Sequence, residues 1–372
     1  MWVPLLLVSL IHFLTVVGFV WFPISWQGLK YALVMYFYSG FGITVGYHRL
    51  WSHRTYKGNW LWRLFWAIGG TSSLQGSIRW WCRLHRLHHS FPDTEVDPYG
   101  PNKGFWYSHV LWIFHKKDRK EELSKVNIQD IEKDPIALWV SVHYPWLSLT
   151  VAFLLPLLMF SDKTQAFFYG GCLARIITWH STWCVNSLAH WLGSDEYSNE
   201  TSAKDHLITA LLTFGEGNHG FHHAFPGSYI NGIRWWDYDP TKWVILAGSW
   251  LGLCQDLGWP DDNEVLKAKY QVKHKKLQDL NSQIRWPNPP NVVMTLEEYQ
   301  RVAKAEGLVA LGDTIYKVDS FLPEHPGGKA LINSAVGMEP AKVEALMKNK
   351  HTHTMASKNF LQTMAIAKLA DQ

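Results

Sequence analysis

Trp80-Trp-Cys-Arg-Leu-His85-Arg-Leu-His88-His89 decides the reading of this chain. Its histidines stand at i, i+3 and i+4, positions that share one face of an α-helix. The spacing recurs in His219-Gly-Phe-His222-His223, a third pair stands in His48-Arg-Leu-Trp-Ser-His53, and His190 precedes the last group. Neutral imidazole is the commonest side-chain metal ligand, and three imidazoles on one helix face can reach two adjacent ions. His48 and His53 are five apart, so a bend or a helix end must bring them together. So many histidines, without nearby carboxylates, suit a two-metal imidazole site better than a closed four-ligand zinc site. Iron is the metal expected, because the ligand type suits it and it does oxygen chemistry. His12, His109, His115, His143, His180, His206 and His274 are read as interfacial or hydrogen-bonded residues.

Each histidine group borders an apolar segment of membrane length, for which about 20 residues are needed. Residues 2–22, 29–46, 136–160 and 166–188 are predicted as four transmembrane helices, the last two interrupted by His143, Arg175 and His180. The fold expected is an all-α four-helix transmembrane region with a cytoplasmic helical cap. The composition agrees: of 372 residues 47% are hydrophobic and 22 are Trp, a ring type that favours membrane interfaces. Mean hydropathy is nonetheless slightly negative, so long polar segments must balance the spans. A net charge of +4 is too small to indicate a nucleic-acid partner. Lys and Arg crowd between Arg49 and Lys120, which places that stretch, both termini and all the histidine groups on the cytoplasmic side. The apolar N-terminus lacks a basic n-region and a small-residue cleavage site. It reads as a retained helix, or as a chain whose natural start lies further upstream. Four widely spaced cysteines without a CxxC argue against a zinc ribbon or a disulfide framework, and Cys82 is assigned to packing. Asn186, four before His190, is expected to orient a ligand or to bridge to the metal through water.

Residues 1–262 are read as the integral-membrane domain. Residues 263–291 are charged, then Pro-rich in Trp286-Pro-Asn-Pro-Pro290, and read as a helix plus linker. Residues 292–372 read as a small α+β domain.

Several of these stretches resemble one family. Gly42-Ile-Thr-Val-Gly-Tyr-His48-Arg-Leu-Trp-Ser-His53-Arg, the His85 stretch, Asp97-Pro-Tyr, Tyr107-Ser-His109-Val-Leu-Trp112, Asn186-Ser-Leu-Ala-His190 and Gly215-Glu-Gly-Asn-His219-Gly-Phe-His222-His223-Ala-Phe-Pro226 resemble the membrane acyl-CoA Δ9 desaturases, the stearoyl-CoA desaturase family. Leu74-Gln-Gly-Ser-Ile-Arg-Trp-Trp81 is similar to its fungal branch. In the tail, Gly312-Asp-Thr-Ile-Tyr-Lys-Val-Asp-Ser-Phe-Leu-Pro-Glu-His325-Pro-Gly-Gly328 resembles the cytochrome b5 haem motif.

The resemblance implies two iron ions on His48, His53, His85, His88, His89, His190, His219, His222 and His223 with Asn186, no catalytic side chain beyond that centre, and haem b between His325 and His353, with His351 as the alternative. It implies a long-chain acyl-CoA and O2 as substrates. Electrons would come from NADH–cytochrome b5 reductase through the fused haem domain, which tethering keeps close to its acceptor. The expected residence is the endoplasmic reticulum membrane. Tyr36 and Gly40 match the family's tunnel-end positions: Tyr36 is expected to close the tunnel and Gly40 to leave room above it. Trp81 would line the mouth, while Arg83, Lys116 and Lys117, with Arg79 a further candidate, would meet the CoA phosphates. Two other readings stay open. One is an acyl-lipid desaturase or a hydroxylase with the same centre. The other is a non-catalytic membrane carrier of electrons or metal.

Overall fold

The computed structural model describes residues 2–115, 120–350 and 353–370. The chain forms two compact units, Met1–Leu277 and Gln278–Gln372. The division falls within the helix Asp262–Gln283, inside the stretch read as helix plus linker.

The first unit is mostly helical. Trp2–Trp21 is apolar except for Ser9, His12 and Thr15, and its Val3–Trp21 portion is long and apolar enough to cross a membrane. After the Ser25 cap, whose hydroxyl accepts from Gly28 N, the helix Trp26–Phe41 runs directly into a π-helix, Gly42–Ser52. The helix Trp60–Ser72 packs against that π-helix. The two backbones touch at glycines: a Cβ on Gly42 would lie 2.0 Å from Gly70 N, so only glycine permits this crossing.

Residues 136–160, expected as a single span, are bent. Pro135–Val142 and Tyr144–Met159 meet at 80° and pass the length-and-composition test only as a pair. Pro145 stands just past the break and has no N–H to continue the helical ladder. Residues 163–186 form one run of helix that includes a π-helical stretch at Ala166–Leu173. Among the described residues, then, there is one clear spanning helix, or two if the bent pair is one span.

The buried core of this unit joins Val45, Tyr47 and Trp51 of the π-helix to Trp62 and Trp66, to Ile78 and Cys82, and to Phe221 and Ile245. Cys82, fully buried there, packs as expected, and all four cysteines are free thiols.

The second unit is a small α/β fold. Thr295 and Glu298 form a reciprocal capping box at the start of the helix Leu296–Glu306. Four strands lie in the order Val293–Met294, Ala365–Leu369, Thr314–Lys317, Leu308–Leu311, the first pair parallel and the others antiparallel. Tyr299 is fixed inside: its oxygen accepts from Ala310 N at 2.9 Å and donates to Met338 O at 3.1 Å.

Candidate metal centre

The sequence-distant histidines converge, and they sort into two groups. His48, His53, His85, His89 and His222 form one; His88, His190, His219 and His223 form the other. Within each, one nitrogen per residue lies within 4.8 Å of all the others. The helices Ile78–Ser90 and His219–Ala224 therefore each serve both groups, as two adjacent ions require. His85 and His89 face one way and His88 the other, while His222 joins the first group and His219 and His223 the second.

His48 and His53 meet at a helix end, one of the two expected arrangements: His53 is the C-cap of the π-helix. The π-helix bonds i to i+5, and His53 N donates to His48 O at 3.1 Å. Residues five apart then lie on one face, and the two rings sit 4.8 Å apart.

The imidazoles meet tip to tip. Nε2–Nε2 separations are 3.1 Å for His48–His222, 2.8 Å for His53–His85, 3.0 Å for His89–His222, 3.2 Å for His88–His223 and 3.1 Å for His219–His223. Ligands on one ion with bonds of about 2.0–2.1 Å stand about 3 Å apart, so the donor set fits two metal ions.

The outer nitrogens are held by groups that orient each ring. His48 Nδ1 donates to Glu216 at 2.9 Å, His88 Nδ1 to Asp97 at 2.9 Å and His85 Nδ1 to the Tyr99 hydroxyl at 3.2 Å. His190 Nδ1 lies 2.8 Å from Ser202 Oγ, which in turn bonds Asp93. With Nδ1 protonated, the inner Nε2 of each ring presents a lone pair. The result is a surplus of acceptors in a closed space, which a cation would neutralise. His190 Nε2 and His219 Nδ1 are buried with no hydrogen-bond partner.

Burial, reinforced mainly by neighbouring imidazoles, holds His53, His85, His89, His219, His222 and His223 well below the ordinary imidazole range. The same burial brings His190 down to about 4. These rings are neutral at physiological pH, the form that binds metal.

Carboxylates were not foreseen around the histidines, yet they stand directly behind them. Burial pushes the Glu216 carboxyl up, but Arg49 and His48 outweigh it and bring it down to about 2. Arg49, itself 1% exposed, bonds Glu216 Oε1 at 2.9 Å, Asp239 Oδ1 at 2.8 Å and the Tyr229 carbonyl at 2.6 Å. Asp97 is likewise held low: its burial is outweighed by His88 and by backbone donors at Tyr99 and Asp93. The signal lay in the Asp97-Pro-Tyr and Gly215-Glu-Gly motifs, where a charged side chain sits next to histidine clusters.

A cavity of about 720 Å³ reaches this centre. Its walls are apolar and aromatic, and His48, His85 and Glu216 line it together with Trp81, Gly40 and Asn186. Trp81 stacks on His85 with centroids 4.9 Å apart. Gln75 Nε2 donates to Thr182 Oγ1 at 3.0 Å, and both residues line the same space.

Of the other expected substrate contacts, Tyr36 is not among the lining residues. Its ring packs on Phe214 at 4.9 Å and its hydroxyl donates to Leu212 O. Arg79 and Arg83 flank Trp80 and Trp81 on the same helix, and both approach Glu132, at 2.6 and 3.8 Å. Lys116 and Lys117 lie outside the described residues. His12, His109, His115, His143 and His206 each hydrogen-bond elsewhere and His274 stacks on Tyr270. His180 bonds His109 at 3.0 Å.

The second unit holds its own cavity, about 1190 Å³, lined by Val309, Leu311, Phe321, Leu346, His325 and His353 among others. The two imidazole centroids are 6.2 Å apart with ring planes at 30°. That spacing accepts one metal ion with a bond of about 2 Å to each ring, as bis-histidine haem requires. His351 lies outside the described residues. Replacing His353 with alanine should strip the low-spin haem absorption from the purified protein. Retained bis-histidine absorption would return the role to His351.

Comparison with known proteins finds a match for each of the two units. Residues 24–251 match the fatty acid desaturase family model, and residues 295–370 match that of the cytochrome b5-like heme/steroid binding domain. A probable acyl-CoA desaturase of Schizosaccharomyces pombe is 38% identical, over 98% of this chain and 77% of its own length. Acyl-CoA desaturase 1 of Saccharomyces cerevisiae is 36% identical, over 93% and 68%. A Delta(9)-fatty-acid desaturase of Caenorhabditis elegans is 34% identical, over 68% and 78%. The chain belongs to the fatty acid desaturase family and carries a C-terminal cytochrome b5 domain.

Proposed function

We propose that this protein is an acyl-CoA Δ9 desaturase that inserts a cis double bond into a saturated long-chain acyl-CoA. The observation that carries the proposal is a pair of adjacent histidine groups, one of which faces an apolar cavity through His48 and His85. An acyl chain bears no polar mark at its middle carbons, so a shaped tunnel is what presents one carbon–carbon bond to a metal centre.

The nine histidines would hold two iron ions, with Asn186, which lines the cavity, as a further ligand or a water-bridged partner. Such a centre, with O2, supplies abstraction of hydrogen from two adjacent methylenes. Glu216, Asp97 and Ser202 fix the tautomers and ring directions of His48, His88 and His190. Trp81, Leu84 and Ile43 exclude water from the chain's path. Arg79 and Arg83 would supply cations for the CoA phosphates, with Lys116 and Lys117 as further candidates. His325 and His353 would hold haem b, through which two electrons per turnover pass from NADH–cytochrome b5 reductase.

The four apolar segments would set the protein in the endoplasmic reticulum membrane, with both termini and the metal centre on the cytoplasmic side. Supporting this is the outward apolar surface of the first helix, where Val3, Leu6, Phe13 and Val20 are all more than 60% exposed. A buried charge such as Arg175 within the fourth segment marks a helix face turned to protein, where it bonds Met35 O.

Expression in yeast lacking its own Δ9 desaturase tests the activity. Palmitoleate and oleate should appear, with the bond mapped to carbon 9. A hydroxylated product or a bond elsewhere would overturn the regiochemistry. No product from haem-loaded protein would favour an acyl-lipid substrate or a non-enzymatic carrier.

A further inference from the structure

Phe214 adopts a backbone conformation that a bulky side chain rarely takes. Its φ is +57° and that of the following Gly215 is +96°, both in the left-handed region that disfavours residues with a Cβ. The conformation is held from several sides. The Thr241 hydroxyl lies 2.9 Å from the Phe214 carbonyl oxygen and 2.8 Å from Thr44 Oγ1, and Gly215 N donates to Ala210 O. Two residues on, Glu216 is locked to His48 and Arg49.

This backbone turns the ring into the seam between the second apolar segment and the cavity. Tyr36, Phe37 and Phe41 back it, with centroids at 4.9, 5.6 and 4.9 Å. Phe214 lines the cavity together with Gly40, Thr44 and Ser181. On Gly40 a Cβ would fall 2.3 Å from Phe214 Cε2 and 2.5 Å from Cζ. The space that the missing Cβ leaves is therefore already filled by the ring. Gly40, whose missing Cβ the ring replaces, precedes His48 by eight residues, about two turns, on one continuous helical run, so the ring borders the cavity on the side away from His48 along that run.

Given the desaturase reading, we propose that the Phe214 ring is the stop against which the methyl end of the acyl chain rests. Gly40 serves that ring rather than the substrate, and Tyr36 buttresses it from behind. A ring packed on three others, on a pinned backbone, yields little because protein interiors are close-packed. It can therefore discriminate chains that differ only in length.

The test measures products from saturated acyl-CoAs of 14 to 20 carbons, using membranes that contain the full-length protein and its variants, with bond positions mapped. Phe214→Ala, and to a lesser degree Phe214→Leu, should raise the ratio of 20- to 18-carbon product about tenfold, the low end of what one misfitted methylene commands. The bond should stay at carbon 9. Gly40→Ala should drive the ring into the cavity and shift preference toward shorter chains. Gly40→Ala combined with Phe214→Leu should restore longer ones, a non-additivity expected only of residues in contact. Phe214→Leu keeps an apolar side chain in place and carries the test if Phe214→Ala fails to fold. Active variants with an unchanged length profile would overturn the proposal. So would a displaced double bond, which would mean that Phe214 acts through Glu216 on the centre. Absence of product from the unmutated protein would instead defeat the desaturase reading itself.

Discussion

Replacing His88 with alanine should abolish unsaturated product while leaving the haem absorption of the second unit intact. His88 belongs to the group with four nitrogens rather than five, so its loss leaves three. It is also the group's direct hydrogen bond to a carboxylate: Asp97 is completely buried and His88 Nδ1 lies 2.9 Å from its Oδ2. Without that ring the Asp97 charge loses the main influence that keeps its carboxyl low, and its neighbourhood must rearrange or take up a proton. Iron bound per chain should fall from two toward one. The gentler Asp97→Asn should weaken metal binding by about 10- to 100-fold, the usual effect of losing a group that orients a ligand. Full desaturation by the His88→Ala protein would sink the two-metal reading. Haem reduction by reductase should continue in it unchanged. A non-catalytic carrier would show that same reduction, but no product even before mutation.

The second large effect is expected on stability. Arg49→Met should lower the unfolding temperature of the detergent-solubilised protein by roughly 10 °C, from a loss of about 3–5 kcal/mol for a broken buried ion pair. Arg49 is 1% exposed and bridges two buried carboxylates on segments far apart in sequence, Glu216 and Asp239. Removing it takes the guanidinium from both, leaving Glu216 with His48 and Asn231, and Asp239 with backbone donors alone. Arg49→Lys should rescue little, because one ammonium cannot reproduce the fork that spans the two acids and the Tyr229 carbonyl. Combining Arg49→Met with Glu216→Gln and Asp239→Asn should recover much of the stability, because no buried charge is then left unpaired. It should not recover activity, since His48 loses its anionic partner. An unaltered midpoint for Arg49→Met would mean that solvent reaches this network.

Some of this was legible in single segments. His85-Arg-Leu-His88-His89 and His219-Gly-Phe-His222-His223 announce a shared helix face, because i, i+3 and i+4 follow from the helical repeat alone. The apolar first helix and the histidine that precedes Pro326 in the tail are equally local. The pairing of His48 with His53 was half legible. Their need to meet was plain, but the π-helical winding that does it depends on the packing of Gly42 against Gly70 and of Trp51 into the core. The break at residue 143 was signalled by the polar interruption at His143 and by Pro145, but its angle of 80° was not.

By itself the sequence determined that these histidines form helical clusters at the edge of apolar segments, followed by a separate haem-type unit. Hydropathy, helical periodicity and ligand spacing are written over stretches of a few turns. Only the tertiary structure decided how the nine rings divide into five and four, which carboxylate stands behind which ring, and that Phe214 rather than Tyr36 borders the cavity. Each of those depends on a contact between residues far apart in the chain, such as His88 with His223 or Gly40 with Phe214. No local pattern encodes a distance that arises only when separate helices pack.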